Sequence, residues 1–353
     1  MDLSQVDFAL ALHDELPADG NLPWSPYSVA SALGLAATGA RGRTYDELAR
    51  ALAPGGDLVQ LGRTLAASAR LDDAAAAVAN TIWVRLGLEL RDAYRQEMLD
   101  WPGGALHTAD FRGDPEGSRG TINADVEKTT QGLIKELLQR GTITPTTAAV
   151  IVNALYLKVA WRNPFADAAT QPAPFHAPSG TREVPTMRQQ ERMGYAAVDG
   201  WRMVTLSTAS DVVVDVLLSD EDGRLTPETL TGLYRRSTAT RVDLALPRFR
   251  VETEAVLNDA LGRLGVVTAF TRDADFSGIS PAERIWIDKV VHKAVLRVDE
   301  QGFEGAAATA VVMRAVAFDL STPVPFHVDR PFLVVVRHAH TGAIYFLARI
   351  VDP

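Results

Sequence analysis

The sequence predicts an α+β fold with large, mainly antiparallel sheets, and three observations lead to this prediction. The first half of the chain consists mainly of segments whose apolar side chains recur at helical spacing. The second half holds many strand-like segments, several of them longer than ten residues. Few helix-like segments separate these strands, so a parallel sheet built from alternating strands and helices is not expected.

Two helices are predicted at the start of the chain. Apolar positions between residues 6 and 16 fall on one face, which indicates an amphipathic helix. The next helix spans residues 25–40, with Ser25 as its N-cap, Pro26 at its first position and an end near Gly39. Its interior is apolar nearly all round, so we expect it to be buried.

Capping signals and periodicity predict the other helices. Thr44 and Glu47 have the spacing of a capping box, which would begin the third helix. Gly265 is suited to end the last one, because glycine is favoured just beyond a helix C-terminus. These further helices span residues 118–139, 227–237 and 253–265.

Eight segments are predicted to be strands. The segment 148–161 is largely apolar, which indicates a central strand that is buried on both faces. The others are residues 78–86, 203–207, 211–219, 241–251, 284–300, 330–339 and 342–351.

Composition and charge exclude several classes of function. The 353 residues carry a formal net charge of −9, and the basic residues are scattered. We therefore expect neither a nucleic-acid partner nor an anionic membrane surface. The chain has no cysteine, which excludes disulfides, thiolate catalysis and cysteine-based zinc sites.

The N-terminus gives no sign of export. Asp2 and Asp7 stand where a signal peptide needs positive charge, so no signal peptide is predicted and a cytoplasmic location is favoured over a secreted mature form. The longest uncharged run, residues 141–157, contains proline and several polar residues and makes a poor membrane span.

Sequence motifs of enzymes are not found. The chain lacks a G-x-S-x-G elbow, a P-loop, a dinucleotide-binding glycine motif and H-E-x-x-H. His338 and His340 would share a strand face, but no third ligand completes a metal site, and we expect them to be solvent-facing. His292 lies in an apolar strand, where a neutral, hydrogen-bonded imidazole is expected rather than a lone catalytic base. The sequence thus predicts no enzyme and no metal or cofactor.

Seven collinear segments together resemble one family. They cover residues 21–48, 122–138, 151–161, 246–249, 261–280, 288–313 and 330–353. In this order and spacing they resemble the serpins, and within that family the short, cysteine-free bacterial members. The resemblance implies a single domain over residues 1–353, with three β-sheets, about nine helices and an exposed reactive centre loop at about residues 300–322.

The resemblance also implies a function, which is suicide inhibition of serine proteases. The family presents its loop as bait; a protease cleaves the loop, becomes trapped as an acyl-enzyme, and is dragged along as the loop inserts into the main sheet. Counting along the family pattern from Glu300 places the bait bond at Val316–Ala317. An apolar bait favours chymotrypsin-like, elastase-like or subtilisin-like targets, whereas a trypsin-like target would require Arg314.

The loop residues themselves suit insertion. If residues 303–314 form a strand, Glu304 and Arg314 lie on the same face, so the other face can be buried. The small residues 305–310 lower the steric barrier to threading, although alanine-rich sequence also favours a surface helix in the native loop. The hinge implied by the resemblance comprises Glu300, Gly302, Phe303, Glu304, Gly305, Ala306, Ala307, Ala308 and Thr309.

Two further clusters are implied by the resemblance. The first, called the breach, lies where insertion begins, and it comprises Trp161, Arg248 and Glu300. The second, called the shutter, restrains opening at the centre of the sheet, and it comprises Ser25, Ser28, Asn153, His292 and Asp288.

Three departures from the family pattern bear on function. Phe303 replaces a small hinge residue, which would slow insertion unless a pocket receives it. Gly305 replaces alanine at a small cost in strand stability. Asp288 replaces a shutter serine and is expected near His292, where it would raise the pKa of the imidazole.

The leading hypothesis is an inhibitory serpin that acts as a monomer on serine proteases. The alternative is a non-inhibitory serpin with a binding or chaperone-like role. No heparin site is expected, because residues 58–75 contain only Arg63 and Arg70 as basic residues. High alanine content and the absence of cysteine are compatible with a heat-tolerant protein.

Overall fold

A computed structural model of the chain describes residues 3–55, 57–69, 71, 75–98, 101, 104–220, 223–281, 284–303 and 321–353. Within these ranges the helices are α1 (Leu3–Glu15), α2 (Pro26–Gly39), α3 (Gly42–Leu52), α4 (Leu58–Ala67), α5 (Asp92–Glu97), α6 (Pro115–Thr129), α7 (Pro227–Arg236) and α8 (Asn258–Arg263). None of the described helices is long and apolar enough to span a membrane.

The strands of the described part form two hydrogen-bonded sets. They are β1 (Leu22–Trp24), β2 (Ala75–Arg85), β3 (Gly104–Ala109), β4 (Ala149–Ala160), β5 (Gln171–Ala177), β6 (Gly180–Val198), β7 (Trp201–Ser207), β8 (Val212–Ser219), β9 (Thr238–Pro247), β10 (Phe249–Val256), β11 (Ile287–Val298), β12 (Gly302–Phe303), β13 (Val324–His327), β14 (Phe332–His338) and β15 (Ile344–Ile350).

The main sheet has six strands in the order β10-β11-β12-β4-β2-β3. β4 pairs antiparallel with β2 and parallel with β11, and it is buried along nearly its whole length. This confirms the predicted central strand.

The other nine strands are connected through β6. This strand is 19 residues long, and it pairs with β5 and β9 along much of its length and with β7 at its end. It therefore joins a sheet containing β7, β8, β14, β15 and β1 to a smaller one containing β5, β9 and β13. With the main sheet, this arrangement gives the predicted three-sheet α+β fold.

The core lies on both faces of the main sheet, since side chains alternate along β4. Ile151 and Leu155 face the large core that contains α2, whereas Val150 and Val152 face a smaller core under α6. Every residue of α2 except Thr38 is buried. α2 is therefore an internal helix, as its sequence predicts.

Two predicted helices differ from the structure. The helix predicted over 118–139 ends at Thr129, where Gln131 and Gly132 adopt positive φ values of 52° and 83° and turn the chain. Of the helix predicted over 253–265, only Asn258–Arg263 is helical. The first four residues of the predicted helix, 253–256, instead belong to β10, because their pairing with β11 outweighs their helical periodicity.

The predicted capping box is also wrong. α3 begins at Gly42, and the Glu47 carboxylate accepts hydrogen bonds from the backbone N–H groups of Val267 and Thr268 instead. These bonds lower the pKa of Glu47 to about 2, although burial acts in the opposite direction. Thr44 likewise accepts a hydrogen bond from the Asp275 N–H. Both side chains therefore fix a distant loop rather than the helix terminus.

Candidate functional site

In the main sheet, β4 and β11 pair directly with each other at one end and are separated by β12 at the other. β4 and β11 pair in parallel from Ala149 with Ile287 to Ala154 with Lys293. Beyond these pairs, β12 lies between the two strands and pairs antiparallel with both. Residues 155–158 of β4 and 294–297 of β11 lie between the two zones, and no pairing joins them in the described part of the chain. The described part of the sheet thus contains a gap four residues deep.

A tight turn leads the chain back into this gap. The Asp299 N–H donates to the Gly302 carbonyl at 3.0 Å, and the Asp299 carboxylate accepts from the N–H groups of Gln301 and Gly302 at 3.0 and 3.2 Å. The other carboxylate oxygen lies 3.1 Å from the guanidinium of Arg297. Asp299, which sequence reasoning did not single out, therefore shapes the start of the hinge.

Gly302 has no room for a side chain. A Cβ atom at this position would lie 2.3 Å from the carbonyl oxygen of Val159 and 2.8 Å from the Cα of Ala160. Such distances are far below van der Waals contact, so a larger residue would push β12 away from β4.

Phe303 is fully buried in the large core. Its ring packs against Phe346 of β15, with 5.5 Å between ring centroids and 48° between ring planes. The expectation that the loop is exposed from residue 300 is therefore wrong for Glu300, Gly302 and Phe303, all of which are buried. The other hinge residues, Glu304, Gly305, Ala306, Ala307, Ala308 and Thr309, and the bait residues Val316 and Ala317 lie outside the described residues.

Trp161 holds the turn at residues 299–302 through two hydrogen bonds. Its indole N–H donates to the Asp299 carbonyl at 2.8 Å, and its backbone N–H donates to the Gln301 carbonyl at 3.0 Å. Phe165 packs edge-on against the indole at 6.3 Å. The predicted breach tryptophan therefore contacts the entrance of the gap directly.

Glu300 has a closer partner than the predicted arginine. Its Oε1 accepts a hydrogen bond from the Thr170 hydroxyl at 2.8 Å, whereas Arg248 Nη1 is 3.7 Å away. The Glu300 side chain is 9% exposed and that of Arg248 is 50% exposed, so solvent screens the ion pair on the arginine side. The structure brings the predicted pair together, and it adds Thr170, for which the sequence carries no short-range signal.

His292 is the centre of the predicted shutter. The Ser25 N–H donates to His292 Nε2 at 3.1 Å, and His292 Nδ1 lies 2.6 Å from the Asn153 Oδ1. Because Nε2 must accept, the ring is neutral with its proton on Nδ1. Complete burial lowers the pKa of His292 to about 3, which keeps it neutral. The predicted neutral imidazole is confirmed.

Asn80 completes the shutter. Its Oδ1 accepts from the Ser28 hydroxyl at 3.2 Å and from Asn153 Nδ2 at 2.7 Å. The Ser25 hydroxyl accepts from the Ser28 N–H as the helix N-cap, as predicted. A chain of hydrogen bonds thus links α2 to three strands of the main sheet. Sequence reasoning missed Asn80, although a polar residue inside an apolar strand was a usable signal.

Asp288 does not belong to the shutter. Its carboxylate accepts from the Ala148 N–H at 2.8 Å and from the Trp286 indole N–H at 2.7 Å. Four residues along a strand span about 13 Å, so the side chains of Asp288 and His292 do not meet. The predicted rise in the pKa of His292 is therefore wrong.

The two other predicted histidines form no metal site. Groups of three or more potential metal-binding side chains do not occur among the described residues. His338 is buried rather than solvent-facing, and its Nδ1 accepts the backbone N–H groups of His340 and Thr341. It therefore stabilises the turn between β14 and β15.

Comparison with known proteins agrees with this geometry. A family profile described as "Serpin (serine protease inhibitor)" matches residues 3–353. The leukocyte elastase inhibitor of Bos taurus is 33% identical, covering 99% of this chain and 97% of its own. An uncharacterised serpin-like protein of Thermococcus kodakarensis is 32% identical, covering 98% of this chain and 84% of its own.

Solved structures show the same fold. The thermophilic serpin tengpin in its native state has a TM-score of 0.89 at 23% identity, covering 99% of this chain and 94% of its own. Thyroxine-binding globulin complexed with thyroxine has a TM-score of 0.88 at 23% identity, covering 100% of this chain and 99% of its own. The two thermophilic sources fit the predicted heat tolerance, whereas a bacterial branch is not singled out.

Proposed function

Since the chain belongs to the serpin family, we propose that it is an inhibitory serpin that traps serine proteases by inserting its cleaved loop into the main sheet. The family includes members named as inhibitors and a member named for the thyroxine that it binds, so membership alone does not decide between these roles. The observation that carries the proposal is the gap between β4 and β11, with β12 already paired at its entrance.

The register of β12 defines how insertion would continue. Phe303 lies opposite Val159 of β4 and Val298 of β11, and β12 is antiparallel to both strands. Each further loop residue would therefore lie opposite the residue one position earlier in β4 and one position earlier in β11. Residues 304–307 would then fill the gap beside residues 155–158 and 294–297. This first stage requires no existing strand pair to break.

The second stage would separate β4 from β11. Ala308 would insert between the paired residues Ala154 and Lys293. Thr309 would insert between the paired residues Asn153 and His292. On the face shared with Phe303, the Thr309 hydroxyl would enter between Asn153 and His292, where a hydroxyl can both donate and accept. It would thereby replace the hydrogen bond that joins them, so that neither buried group loses its partner.

Insertion of the whole segment is favourable by a wide margin. About ten residues beyond Phe303 would gain ladder hydrogen bonds, each worth about 1 kcal/mol net, so the drive is on the order of ten kcal/mol. A displacement of catalytic atoms by about 1 Å slows an enzyme by about 10²-fold. A drive of this size supports the proposal that a distorted protease is held as a long-lived acyl-enzyme.

The target class follows from the bait. Counting from Glu300 places the cleaved bond at Val316–Ala317, and an apolar bait suits chymotrypsin-like, elastase-like or subtilisin-like proteases. Cleavage after Arg314 would instead indicate a trypsin-like target. The proposed inhibitor acts as a monomer and needs no cofactor.

A binding protein without inhibitory activity is the second candidate, and the burial of Phe303 favours it. An aromatic anchor shortens the exposed loop by two residues and holds its base in the sheet before any cleavage. Such a loop is less accessible to a protease than a free one.

Mixing the protein with chymotrypsin, elastase, subtilisin and trypsin tests the proposal on denaturing gels. We expect a denaturant-resistant complex with at least one protease of the first three, and none when the protease serine is chemically blocked. Thr309→Arg should convert the protein into a substrate, because a charge would have to enter the core at the shutter. Cleavage of the wild type without any stable complex would leave the binding role.

A further inference from the structure

A cavity of about 540 Å³ lies among helices α2 to α5. This is within the range of about 300–1,000 Å³ that small-molecule sites occupy. Its walls include Tyr45 of α3, Val59 and Arg63 of α4, and Glu97 of α5, and its floor includes Trp101. None of these residues belongs to the loop, the breach or the shutter.

Two glycines create the floor of this cavity. The Trp101 ring lies against α2 at Gly34 and against α4 at Gly62, where added Cβ atoms would approach it to 2.2 and 3.2 Å. Glycine inside a helix destabilises the helix relative to alanine. The two glycines therefore weaken their helices but leave room for the Trp101 indole at the base of the cavity.

The rim of the cavity is apolar but open to solvent. Val59 is 58% exposed and Tyr45 is 39% exposed, and both belong to the small set of large apolar side chains that are exposed in the described residues. With Trp101 below them, they offer aromatic and aliphatic surface to a flat, apolar ligand.

Arg63 adds a charge to this apolar surface. Within the described part of the chain it forms no hydrogen bond or ion pair, and it lies one helical turn after Val59 on α4. Glu97 lines the same cavity and would repel an anion. The two side chains therefore give opposite, testable contributions to the binding of a charged ligand.

We propose that this cavity binds a small aromatic molecule with one anionic group. The rings pack over Trp101 and against Val59 and Tyr45, and the anionic group pairs with Arg63. The cavity shares no residue with the inserting loop, so ligand binding can be measured without a protease.

The test is a titration of the intact protein with anilinonaphthalenesulfonate, an aromatic sulfonate whose emission rises on binding. Ala66→Phe should fill the cavity and weaken binding by at least about tenfold, as loss of most of the apolar contact predicts. Arg63→Gln should weaken binding about threefold and Glu97→Gln should strengthen it about threefold, as expected for partly exposed charges.

Arg224→Gln is the matched control. Arg224 lines a different cavity, beside Leu10 and Trp201, so its loss should leave the titration unchanged. Both charge variants lie at exposed positions of α4 and α5, and they decide the question even if Ala66→Phe unfolds. Equal affinities for wild type, Arg63→Gln and Glu97→Gln, or a loss of binding in Arg224→Gln alone, would overturn the proposal.

Discussion

Replacing Phe303 with alanine should destabilise the protein before any cleavage. The ring is fully buried against Phe346, and it belongs to β12, of which two residues are described in the sheet. If β12 leaves the sheet, the loss is the burial of one phenylalanine, about 2 kcal/mol. If β12 stays, the cavity raises the loss to about 4 kcal/mol. We therefore expect the free energy of unfolding to fall by about 2–4 kcal/mol.

Urea unfolding of the uncleaved protein, followed by circular dichroism, measures this change. Phe303→Leu is the control, and a similar volume should limit its loss to less than about 1.5 kcal/mol. The loop-cleaved forms should be unfolded in parallel, because Phe303 is expected in the sheet there too. A stability of uncleaved Phe303→Ala within about 0.5 kcal/mol of wild type, with a loss only after cleavage, would show that Phe303 enters the sheet late and would refute the reasoning.

Three further predictions concern the same sheet. Gly302→Ala should displace β12, since its Cβ would lie 2.3 Å from a carbonyl oxygen, and hydrogen exchange at residue 303 should then accelerate to the rate of an unpaired amide. Asn80→Ala should lower the free energy of unfolding by about 3 kcal/mol, because two buried donors lose their acceptor; a thermal melt close to wild type would contradict this. Acidification should also destabilise the protein. Folding lowers the pKa of His292 from 6.5 to about 3 and that of His13 from 6.5 to about 4. Below pH 6.5 the unfolded chain therefore binds protons that the folded chain does not bind, and the free energy of unfolding falls. Each should remove about 1.4 kcal/mol per pH unit down to its folded pKa, and His292→Gln should reduce the slope measured by urea unfolding, whereas an unchanged slope would exclude His292 as its source.

Local chemistry accounts for the parts of the site that the sequence could predict. Ser25 followed by Pro26 suits a helix start, because serine caps the terminus and proline fits the first position, and α2 begins there. A histidine inside an apolar strand has to be neutral and hydrogen-bonded, and His292 is. Such inferences need only a few neighbouring residues.

Contacts between distant segments account for what the sequence could not predict. Thr170 and Glu300 meet because two loops converge, and no periodicity encodes their separation of 130 positions. Asp288 was misplaced for the opposite reason, since closeness in sequence does not bring side chains together along an extended strand. Whether Phe303 lies inside or outside the sheet depends on how far β4 and β11 separate, which is a property of the whole fold.

If the protein inhibits proteases as proposed, the depth of the gap between β4 and β11 also sets how loop insertion competes with hydrolysis of the acyl-enzyme. Insertion of residues 304–307 would separate no paired residues of the described sheet, whereas insertion of Ala308 would have to separate Ala154 from Lys293. The kinetic barrier to insertion should therefore lie at this pair. Until the loop passes that barrier, the acyl-enzyme of the proposed mechanism could still be hydrolysed, and the protein would then be consumed as an ordinary substrate. The strength of a few pairs in the middle of one sheet would therefore determine how many inhibitor molecules are consumed for each protease captured.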